Sequence, residues 1–348
     1  MRLDIVPQGI LERAAFALGV VPGPLVLGFW GMGASRTLII ASRLGVFDAL
    51  AAGPKTAGEV AAATDCHPEG MECLLDALNG FGFVKHRKRR YRNARSSRKW
   101  LLRDSRHSVQ LVFHFFDYLW DSITAIESGV RTGVPEDFHR PGRPEEFWET
   151  YTRSFAKFAG YISKEIVRRV RLPRPPARLL DVGGGHGMYA GAFVERYPGL
   201  VAEVIDLPQA AESGRRVAAE AGLADRISFR SGDMHAVEWG DGYDVVLLFN
   251  VLHNMSRERA EITIRRARYS LAAGGKLVVL DSEHRVRRGN LSTASGFNEL
   301  FFFAVNGTRP WPEGTIQTWM QRAGFCDVRR RRLFSMPAGV LFTAERGK

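Results

Sequence analysis

The stretch RLLDVGGGHG at residues 178–187, followed by YAGAF at 189–193, decides the fold of this chain. A short apolar run ends in Asp181, turns through four glycines and passes into a helical pattern, which predicts a strand, a tight turn and a helix. Glycine permits positive φ and the close approach of a ligand, and the first turn of a helix presents free N–H groups. Because the Asp181 carboxylate would repel a phosphate, the turn favours a cationic ligand.

Strand and helix patterns alternate from this turn onwards and predict an α/β fold with a doubly wound parallel sheet. The predicted strands cover residues 178–182, 201–205, 227–229, 244–249 and 276–280, and the predicted helices cover 188–196, 210–221 and 257–271. A last helix at 314–323 leads into two terminal strands at 326–334 and 339–344.

Polar residues stand where the predicted strands end, which is where such sheets bind their ligands. Asp206 ends the second strand and suits a ribose diol, because one carboxylate can accept two hydroxyl hydrogens. After the third strand, Asp233 suits an adenine amino group and Met234 suits the face of its ring. Residues 250–254 follow the fourth strand. The carboxyl edge of the sheet is therefore the predicted binding site.

The N-terminal half has a different pattern. A helix at 34–50 precedes a short helix capped by Thr56, a second helix at 69–78 and a basic hairpin between 81 and 92, which together predict a winged helix-turn-helix. The second helix contains three acidic residues and no arginine or lysine, which disfavours DNA binding. A winged-helix regulator that senses a small molecule remains an alternative from another class.

Two aromatic helices are predicted at 109–129 and 145–170. Core packing accounts for most of their aromatic residues, and a minority suit a pocket for a flat apolar substrate. A proline-rich stretch at 172–176 has the composition of a stiff linker. We therefore predict three regions, namely a winged-helix-like domain, a helical connector that lines the substrate pocket and a Rossmann-like domain. They cover residues 1–107, 108–176 and 177–348.

Composition limits the remaining possibilities. The net charge of +12, concentrated at 85–106 and 329–332, fits a solvated basic face, but also nucleic acid, an acidic membrane surface or an anionic substrate. The three cysteines show no disulfide or zinc spacing, and no carboxylate cluster indicates magnesium, so we expect no metal. The apolar piece at 20–30 is too short to span a bilayer, and without a signal pattern we expect a cytoplasmic protein.

Four successive motifs resemble those of the small-molecule O-methyltransferases that use S-adenosylmethionine, of the plant caffeate and bacterial polyketide or acetylserotonin type. The motifs are DVGGG at 181–185, DLP at 206–208, GDM at 232–234 and VLHN at 251–254. LGVFDAL at 44–50 and Trp120 with RTG at 131–133 are similar to the N-terminal helical domain of that family, in which the winged-helix element serves dimerisation. The resemblance covers nearly the whole chain and implies a class I methyltransferase sheet, S-adenosylmethionine as cofactor and a homodimer.

The resemblance also implies the residues that bind the cofactor. Glycines of the turn approach its methionine part, Asp206 its ribose and Leu207 the adenine edge, and Phe249 stands at a further contact where the family usually has a polar residue. The implied set is Asp181, Gly183, Gly185, Asp206, Leu207, Asp233, Met234 and Phe249.

His253 stands where the family has its general base, although the family's His-Asp-Trp is His253-Asn254-Met255 here. A neutral imidazole beside the acceptor can take a phenol proton. The family places a glutamate before the terminal Ala-Gly-Phe, and Glu313 has the matching spacing, so it is expected to hold the imidazole in its productive tautomer. Glu313 also fits an ordinary acid at a helix N-terminus. The residues expected to contact the substrate are Phe116, Trp120, Phe302 and Asn306.

These observations predict methyl transfer from S-adenosylmethionine to a hydroxyl of a small aromatic secondary metabolite. Alignment of the two reactants and a dry pocket would supply most of the catalysis. Carbon methylation remains open, as do decarboxylation, hydroxylation and pericyclic chemistry on the same fold.

Overall fold

The chain divides into two units, Met1–Asp117 and Tyr118–Lys348. We describe them from a computed structural model that covers residues 5–7, 9–140, 142–172 and 175–347. Residues 173 and 174, in the middle of the predicted linker, lie outside the described residues.

The first unit is mainly helical. Its elements are α1 (Ile10–Ala17), α2 (Gly23–Arg43), α3 (Val46–Ala49), α4 (Ala57–Ala63), α5 (Pro68–Gly80), β1 (Val84–Arg87), β2 (Arg90–Asn93) and α6 (Arg95–Trp100), and α7 (Gln110–Thr124) begins in this unit and ends in the second. The predicted cap of α4 is confirmed: Thr56 Oγ1 accepts from the N–H of Glu59 at 3.2 Å, and Glu59 Oε2 accepts from the N–H of Thr56 at 2.6 Å. The two predicted helices and the hairpin follow in the predicted order.

The helix predicted at 34–50 is wrong in both bounds. Gly45 has φ of 72°, in the left-handed region, and this turn separates α2 from α3. At its other end α2 begins at Gly23, with Pro24 in its first turn. As a result the apolar segment is longer than the sequence predicted, and by length and composition alone α2 is long enough to cross a membrane.

The second unit contains one large mixed sheet with helices on both faces. Its helices are α8 (Ile126–Thr132), α9 (Glu145–Arg169), α10 (Met188–Arg196), α11 (Pro208–Glu220), α12 (Arg257–Ser270), α13 (Thr293–Asn306) and α14 (Thr315–Arg322). Its strands are β3 (Arg178–Val182), β4 (Val201–Asp206), β5 (Ile227–Ser231), β6 (Tyr243–Phe249), β7 (Leu271–His284), β8 (Val286–Arg287), β9 (Asn290–Leu291), β10 (Trp311–Pro312), β11 (Phe325–Arg332) and β12 (Gly339–Arg346).

The strand order in the sheet is β11-β12-β7-β6-β3-β4-β5, and β10 pairs with the end of β7. Strands β3 to β7 are parallel to one another, as predicted, whereas β12 pairs antiparallel with β7 and β11 antiparallel with β12. The chain winds outwards from β3 to β5 and then returns to β6 on the other side of β3. The carboxyl ends of β3 and β6 therefore flank the switch point at which such sheets bind ligands.

Two predictions for this unit need correction. The aromatic helix predicted at 109–129 is two helices, α7 and α8, separated at Ala125; Thr124 Oγ1 bonds back to the Trp120 carbonyl at 3.0 Å, a contact that bends helices. Helix α13 had no predicted counterpart, although Ser292 caps it by accepting from the N–H of Ser295 at 3.1 Å. This helix carries the aromatic residues of 297–303.

Apolar side chains fill both sides of the sheet. One core includes Ile162 and Ile166 of α9 and Phe193 of α10, and the other includes Ile264 of α12 and Met320 of α14. Parallel strands that are covered on both faces have continuous apolar sequences, and residues 245–249 of β6 show this pattern.

Helix α11 packs directly against the glycine turn. A Cβ at Gly214 would lie 2.2 Å from the carbonyl oxygen of Gly185 and 2.5 Å from the ring of Phe229. A side chain at this position would have to displace the backbone at Gly185. The absence of a side chain at Gly214 therefore allows α11 to pack this closely against the turn.

We expect Gly214→Ala to lower the free energy of unfolding by roughly 1–3 kcal/mol, because overpacking outweighs the higher helix propensity of alanine. Gly160→Ala in α9 is the matched control, since a Cβ there has no heavy atom within 4 Å; it should raise stability by up to about 1 kcal/mol. Urea unfolding of both variants measures the difference. Equal effects of the two substitutions would contradict this account of Gly214.

Candidate functional site

The glycine turn after β3 has the backbone that its sequence requires. Gly183, Gly185 and Gly187 have φ of 69°, 48° and 68°, a region that favours glycine. At Gly184 the constraint is space, because a Cβ there would lie 2.5 Å from Cγ of Asp181. The turn leads into α10, whose first N–H groups have no partner within the helix.

Asp181 is a fully buried carboxylate beneath this turn. Its side chain is 0% exposed, and neither carboxylate oxygen has a hydrogen-bond partner in the part of the chain that the structure describes. Burial, with a further contribution from the charge of Asp206, raises the pKa of Asp181 to about 7, although the N–H of Ala190 acts in the opposite direction. A buried carboxylate of this kind is costly, and it is ready to accept from a cationic or N–H donor.

Asp206 connects the end of β4 to the glycine turn. Its Oδ2 accepts from the N–H of Gly185 and its Oδ1 from the N–H of Leu207, both at 2.7 Å. Burial raises the pKa of Asp206 to about 6, although the two N–H groups act in the opposite direction. A carboxylate has lone pairs beyond these two bonds, so Asp206 retains the capacity to accept hydroxyl hydrogens.

Three further residues predicted to bind the cofactor differ in exposure. Asp233 is exposed, and its Oδ1 accepts from the N–H of His235 at 2.8 Å. Met234 is partly buried and packs on the core that includes Ile264. Phe249 is buried, with its ring edge-to-face with Tyr189 at 4.9 Å. Of the three, Phe249 belongs to the core in this structure.

A buried imidazole–carboxylate pair lies at the ends of β6 and β7. His253 Nδ1 is 2.6 Å from Asp281 Oδ1, and the side chains are 8% and 0% exposed. Asp281 also accepts from the N–H of His253 at 3.2 Å and from that of Ser282 at 2.7 Å. A Cβ at Gly183 would lie 2.4 Å from Cγ1 of Val251, so the short turn Leu252–Asn254 that carries His253 begins against the glycine turn.

Helix α13 covers this pair. The ring of Phe302 stacks on His253 with centroids 4.3 Å apart and planes at 25°. One turn further on, Asn306 Nδ2 donates to Asn254 Oδ1 at 2.7 Å. Two of the predicted substrate residues, Phe302 and Asn306, are thus brought to His253 and its neighbour.

The predicted pairing of Glu313 with His253 is not what the structure shows. Glu313 accepts from Arg330 Nη2 at 2.8 Å and lies 3.3 Å from Arg285 Nε. The carboxylate that holds the imidazole is Asp281 instead. The reason is topological: Glu313 follows β10, which pairs with β7 only at residues 283 and 284, beyond Asp281.

The two remaining predicted substrate residues lie on α7, on either side of the unit boundary. Phe116 belongs to the first unit, where its ring contacts Phe113 edge-to-face at 5.4 Å. Trp120 belongs to the second unit and is partly buried.

Asp281 is the site residue that sequence reasoning missed. The predicted strand ended at Leu280, so an acidic residue directly followed a buried apolar run, as Asp181 follows its own. That signal, an acid at the carboxyl end of a parallel strand, was present and would have identified it.

Two family models match the chain. A model of the O-methyltransferase domain matches residues 123–326, and a model of the O-methyltransferase dimerisation domain matches residues 27–103. The chain therefore belongs to the O-methyltransferase family and is a methyltransferase dependent on S-adenosylmethionine.

Curated relatives include a methyltransferase and a hydroxylase. The chain is 30% identical over 330 residues to the 3-hydroxy-5-methyl-1-naphthoate 3-O-methyltransferase of Streptomyces sahachiroi, covering 89% of this chain and 90% of the relative. It is 32% identical over 258 residues to the aclacinomycin 10-hydroxylase RdmB of Streptomyces purpurascens, covering 70% and 68%.

Solved structures share the fold. Human N-acetylserotonin methyltransferase in complex with S-adenosylmethionine superposes with a TM-score of 0.83 at 20% identity, over 98% of this chain and all of the other. PigF with S-adenosylhomocysteine gives a TM-score of 0.80 at 21% identity, over 93% and 99%.

The residues at the switch point fit S-adenosylmethionine. The cofactor carries an ammonium and a sulfonium, and Asp181 provides a buried carboxylate with both oxygens unsatisfied. The side-chain-free turn at residues 183–185 allows close approach of a ligand, and the Asp206 carboxylate has acceptor capacity left for the hydroxyls of a ribose diol.

Asp181→Asn should have opposite effects on S-adenosylmethionine binding and on the free energy of unfolding at high pH. Because the folded-state pKa of about 7 lies above the ordinary 3.8, the folded chain binds this proton more tightly than the unfolded chain does. The stability of the cofactor-free protein should therefore fall as the pH rises from about 4 to about 7, by on the order of 4 kcal/mol from this group. Asparagine cannot ionise, so the variant should lose this part of the decline and be the more stable protein at pH 8.

Urea unfolding at a series of pH values measures this effect, and calorimetric titration with S-adenosylmethionine measures binding. We expect the variant to bind at least about tenfold more weakly, since a charged hydrogen-bond acceptor is lost. A variant that is less stable than the wild type at pH 8, or that binds equally well, would contradict the proposed role of Asp181.

Proposed function

We propose that this enzyme transfers the methyl group of S-adenosylmethionine to a hydroxyl of a small aromatic secondary metabolite, with His253 as general base. The observation that carries the proposal is the buried His253–Asp281 pair beside the glycine turn. The bound cofactor supplies an electrophilic methyl group, and the chain must supply a proton acceptor next to it.

The geometry supports one tautomer of His253. With Nδ1 donating to Asp281, Nε2 carries the lone pair that can take a proton. Asp281 is fixed by two backbone N–H groups as well, so it holds the ring in one orientation and compensates the charge that the ring gains. His253 is then the catalytic residue and Asp281 the positioning residue.

The surroundings of the pair favour a flat acceptor. Phe302 and Phe301 supply apolar ring faces on the same helix, with Phe302 against the imidazole. Exclusion of water strengthens the pull of the imidazole on the acceptor proton and keeps the resulting oxyanion poorly solvated. The naphthoate named for the relative from Streptomyces sahachiroi is an acceptor of this shape.

Two substitutions test the pair. We expect His253→Ala to keep cofactor binding and to lose roughly 10²-fold or more in kcat, the usual share of a general base. Asp281→Asn should also lower kcat, by at least about tenfold, because the amide no longer compensates the imidazolium. Turnover is measured as the gain of one methyl mass on a panel of phenols and naphthols, and cofactor binding by calorimetry.

Glu313→Gln is the comparison that separates the two acids. Since Glu313 bonds to arginines, this variant should keep most of its turnover. If Glu313→Gln lowered kcat as much as Asp281→Asn does, Glu313 would be the acid that positions His253. Near-normal turnover of His253→Ala would leave His253 without a catalytic role. A product that has gained a hydroxyl group, or lost a carboxyl group, and has gained no methyl group would favour a hydroxylase or a decarboxylase.

We also propose that the protein works in the cytoplasm as a homodimer through α2. Phe29, Trp30 and Met32 are each more than half exposed, an unusual apolar surface for a free monomer. Within the first unit, a groove of about 450 Å³ with mainly apolar walls runs between α2 and the end of α5. The matched dimerisation model begins at residue 27, within this helix. A second copy that covers α2 accounts for its apolar composition without a membrane.

Trp30→Glu should therefore shift the protein from twice the chain mass of 38.8 kDa towards a monomer in light scattering after gel filtration. Tyr269→Glu is the control, because Tyr269 is 69% exposed on α12 of the second unit. A wild-type protein that is monomeric, or that pellets with membranes, would overturn this part of the proposal, as would equal dissociation by both substitutions.

A further inference from the structure

A second histidine, His139, lies in an aromatic cluster of the second unit. Its ring contacts Phe138, Trp148 and Tyr151, with centroids 5.2, 6.1 and 5.6 Å away. The ring of Trp148 is within 30° of parallel to the imidazole, whereas Tyr151 stands edge-to-face with it. The imidazole is thus one ring of an aromatic cluster packed at ordinary ring-contact distances.

Helix α13 ties His139 to the catalytic pair. The carbonyl of Val305 accepts from the N–H of Phe138 at 3.0 Å, and that of Ala304 from the N–H of Glu136 at 2.8 Å. The same helical turn places Phe302 on His253 and bonds Asn306 to Asn254. One turn of helix, about 5.4 Å long, therefore holds both histidine-bearing segments.

One buried donor of this cluster lacks a partner. Trp148 is 3% exposed, and its buried Nε1–H has no hydrogen-bond partner among the described residues. His139 beside it is half-buried, so its imidazole nitrogens remain open to a ligand. An unmet buried donor is costly, so the Trp148 N–H next to the His139 ring points to a ligand atom that satisfies it.

The expected ligand atom is a neutral oxygen. Burial lowers the pKa of His139 to about 4; His253 and Arg143 act in the same direction and Asp137 in the opposite one. The imidazole is therefore neutral at pH 7 and offers one N–H and one lone pair. It can donate to a carbonyl or exchange hydrogen bonds with a hydroxyl, but it offers no charge to a carboxylate.

We propose that His139, with Trp148 beside it, binds a second oxygen of the acceptor, on the ring carbon next to the one whose hydroxyl faces His253. The inference rests on the proposed function and narrows its substrate class to planar aromatics with two neighbouring oxygen functions. The two segments that carry His139 and His253 are fixed to a single helical turn, so they suit two oxygens that are close together on the acceptor. Two oxygens at opposite ends of a fused ring system would be too far apart.

Binding, rather than turnover, provides the primary test. The protein loaded with S-adenosylhomocysteine is titrated with three probes: a naphthalene diol with adjacent hydroxyls, its isomer with one hydroxyl on each ring at remote positions, and a naphthol. We expect the adjacent diol to bind about tenfold more tightly than the remote isomer, the effect of one or two neutral hydrogen bonds. His139→Phe and Trp148→Phe, which keep ring volume, should each remove most of this preference and leave naphthol binding within about twofold.

Controls and outcomes follow from the same titration. His67→Phe, on the exposed surface of the first unit, should keep the full preference, and unchanged S-adenosylhomocysteine binding shows that each variant is folded. Absence of a preference in the wild type, or a preference that survives in His139→Phe, overturns the inference. An equal loss for all three probes assigns His139 a structural role and also overturns it.

Turnover of the same probes is measured separately. With the adjacent diol, His139→Phe should raise KM about tenfold and leave kcat within about twofold. If the wild type prefers the adjacent diol but transfers no methyl group, the proposed function fails while the inference about His139 stands.

Discussion

The second unit depends on a carboxylate placed where water cannot reach it. Asp181 lies one residue before the end of β3, at the switch point. It has no hydrogen-bond partner among the described residues and is covered by a turn that has room for no side chain at residue 184. The charge of Asp206 nearby makes its ionisation harder still. The fold thus holds two acids together at one edge of the sheet, where bound N–H and hydroxyl groups offset the cost. The glycines, the close approach of α11 at Gly214 and the packing of Val251 on the turn all follow from that arrangement.

The sequence predicted the parts of the site that are local in the chain. Asp181, Asp206 and the turn between them follow buried strands directly, so periodicity and glycine spacing located them. Asp281 was missed because β7 extends beyond the apolar run from which the strand was predicted. Pairing with β12 keeps residues 281 and 282 in the sheet. Glu313 was given the wrong partner since spacing along the chain carries no information on which arginines, here Arg285 and Arg330, reach it across the sheet. Helix α13 escaped prediction because its aromatic residues do not follow one helical face.

The two sides of the site are built differently. Strand ends form the proposed cofactor side, and their positions are fixed by parallel register over several residues. Helix α13 and the segment around His139 form the proposed acceptor side, where backbone hydrogen bonds of Glu136 and Phe138 join the segment to the helix. A framework of this kind can keep one ligand while the other changes. The relatives show that range: a naphthoate O-methyltransferase at 30% identity, a hydroxylase at 32% and an L-tyrosine C(3)-methyltransferase at 28%.

The basic run at 329–332 acquires a different meaning from its place in the sheet. It lies on β11, the edge strand, whose outer backbone groups are unpaired and could recruit a strand from another molecule. Arg330 turns inwards to Glu283 and Arg329 pairs with Asp327 at 2.9 Å, whereas Arg331 and Arg332 are exposed along the edge. Like charges at that density repel a second copy approaching edge to edge. Part of the positive charge of this chain therefore disfavours edge-to-edge aggregation of its own sheet. That part of the charge can be explained without an anionic partner.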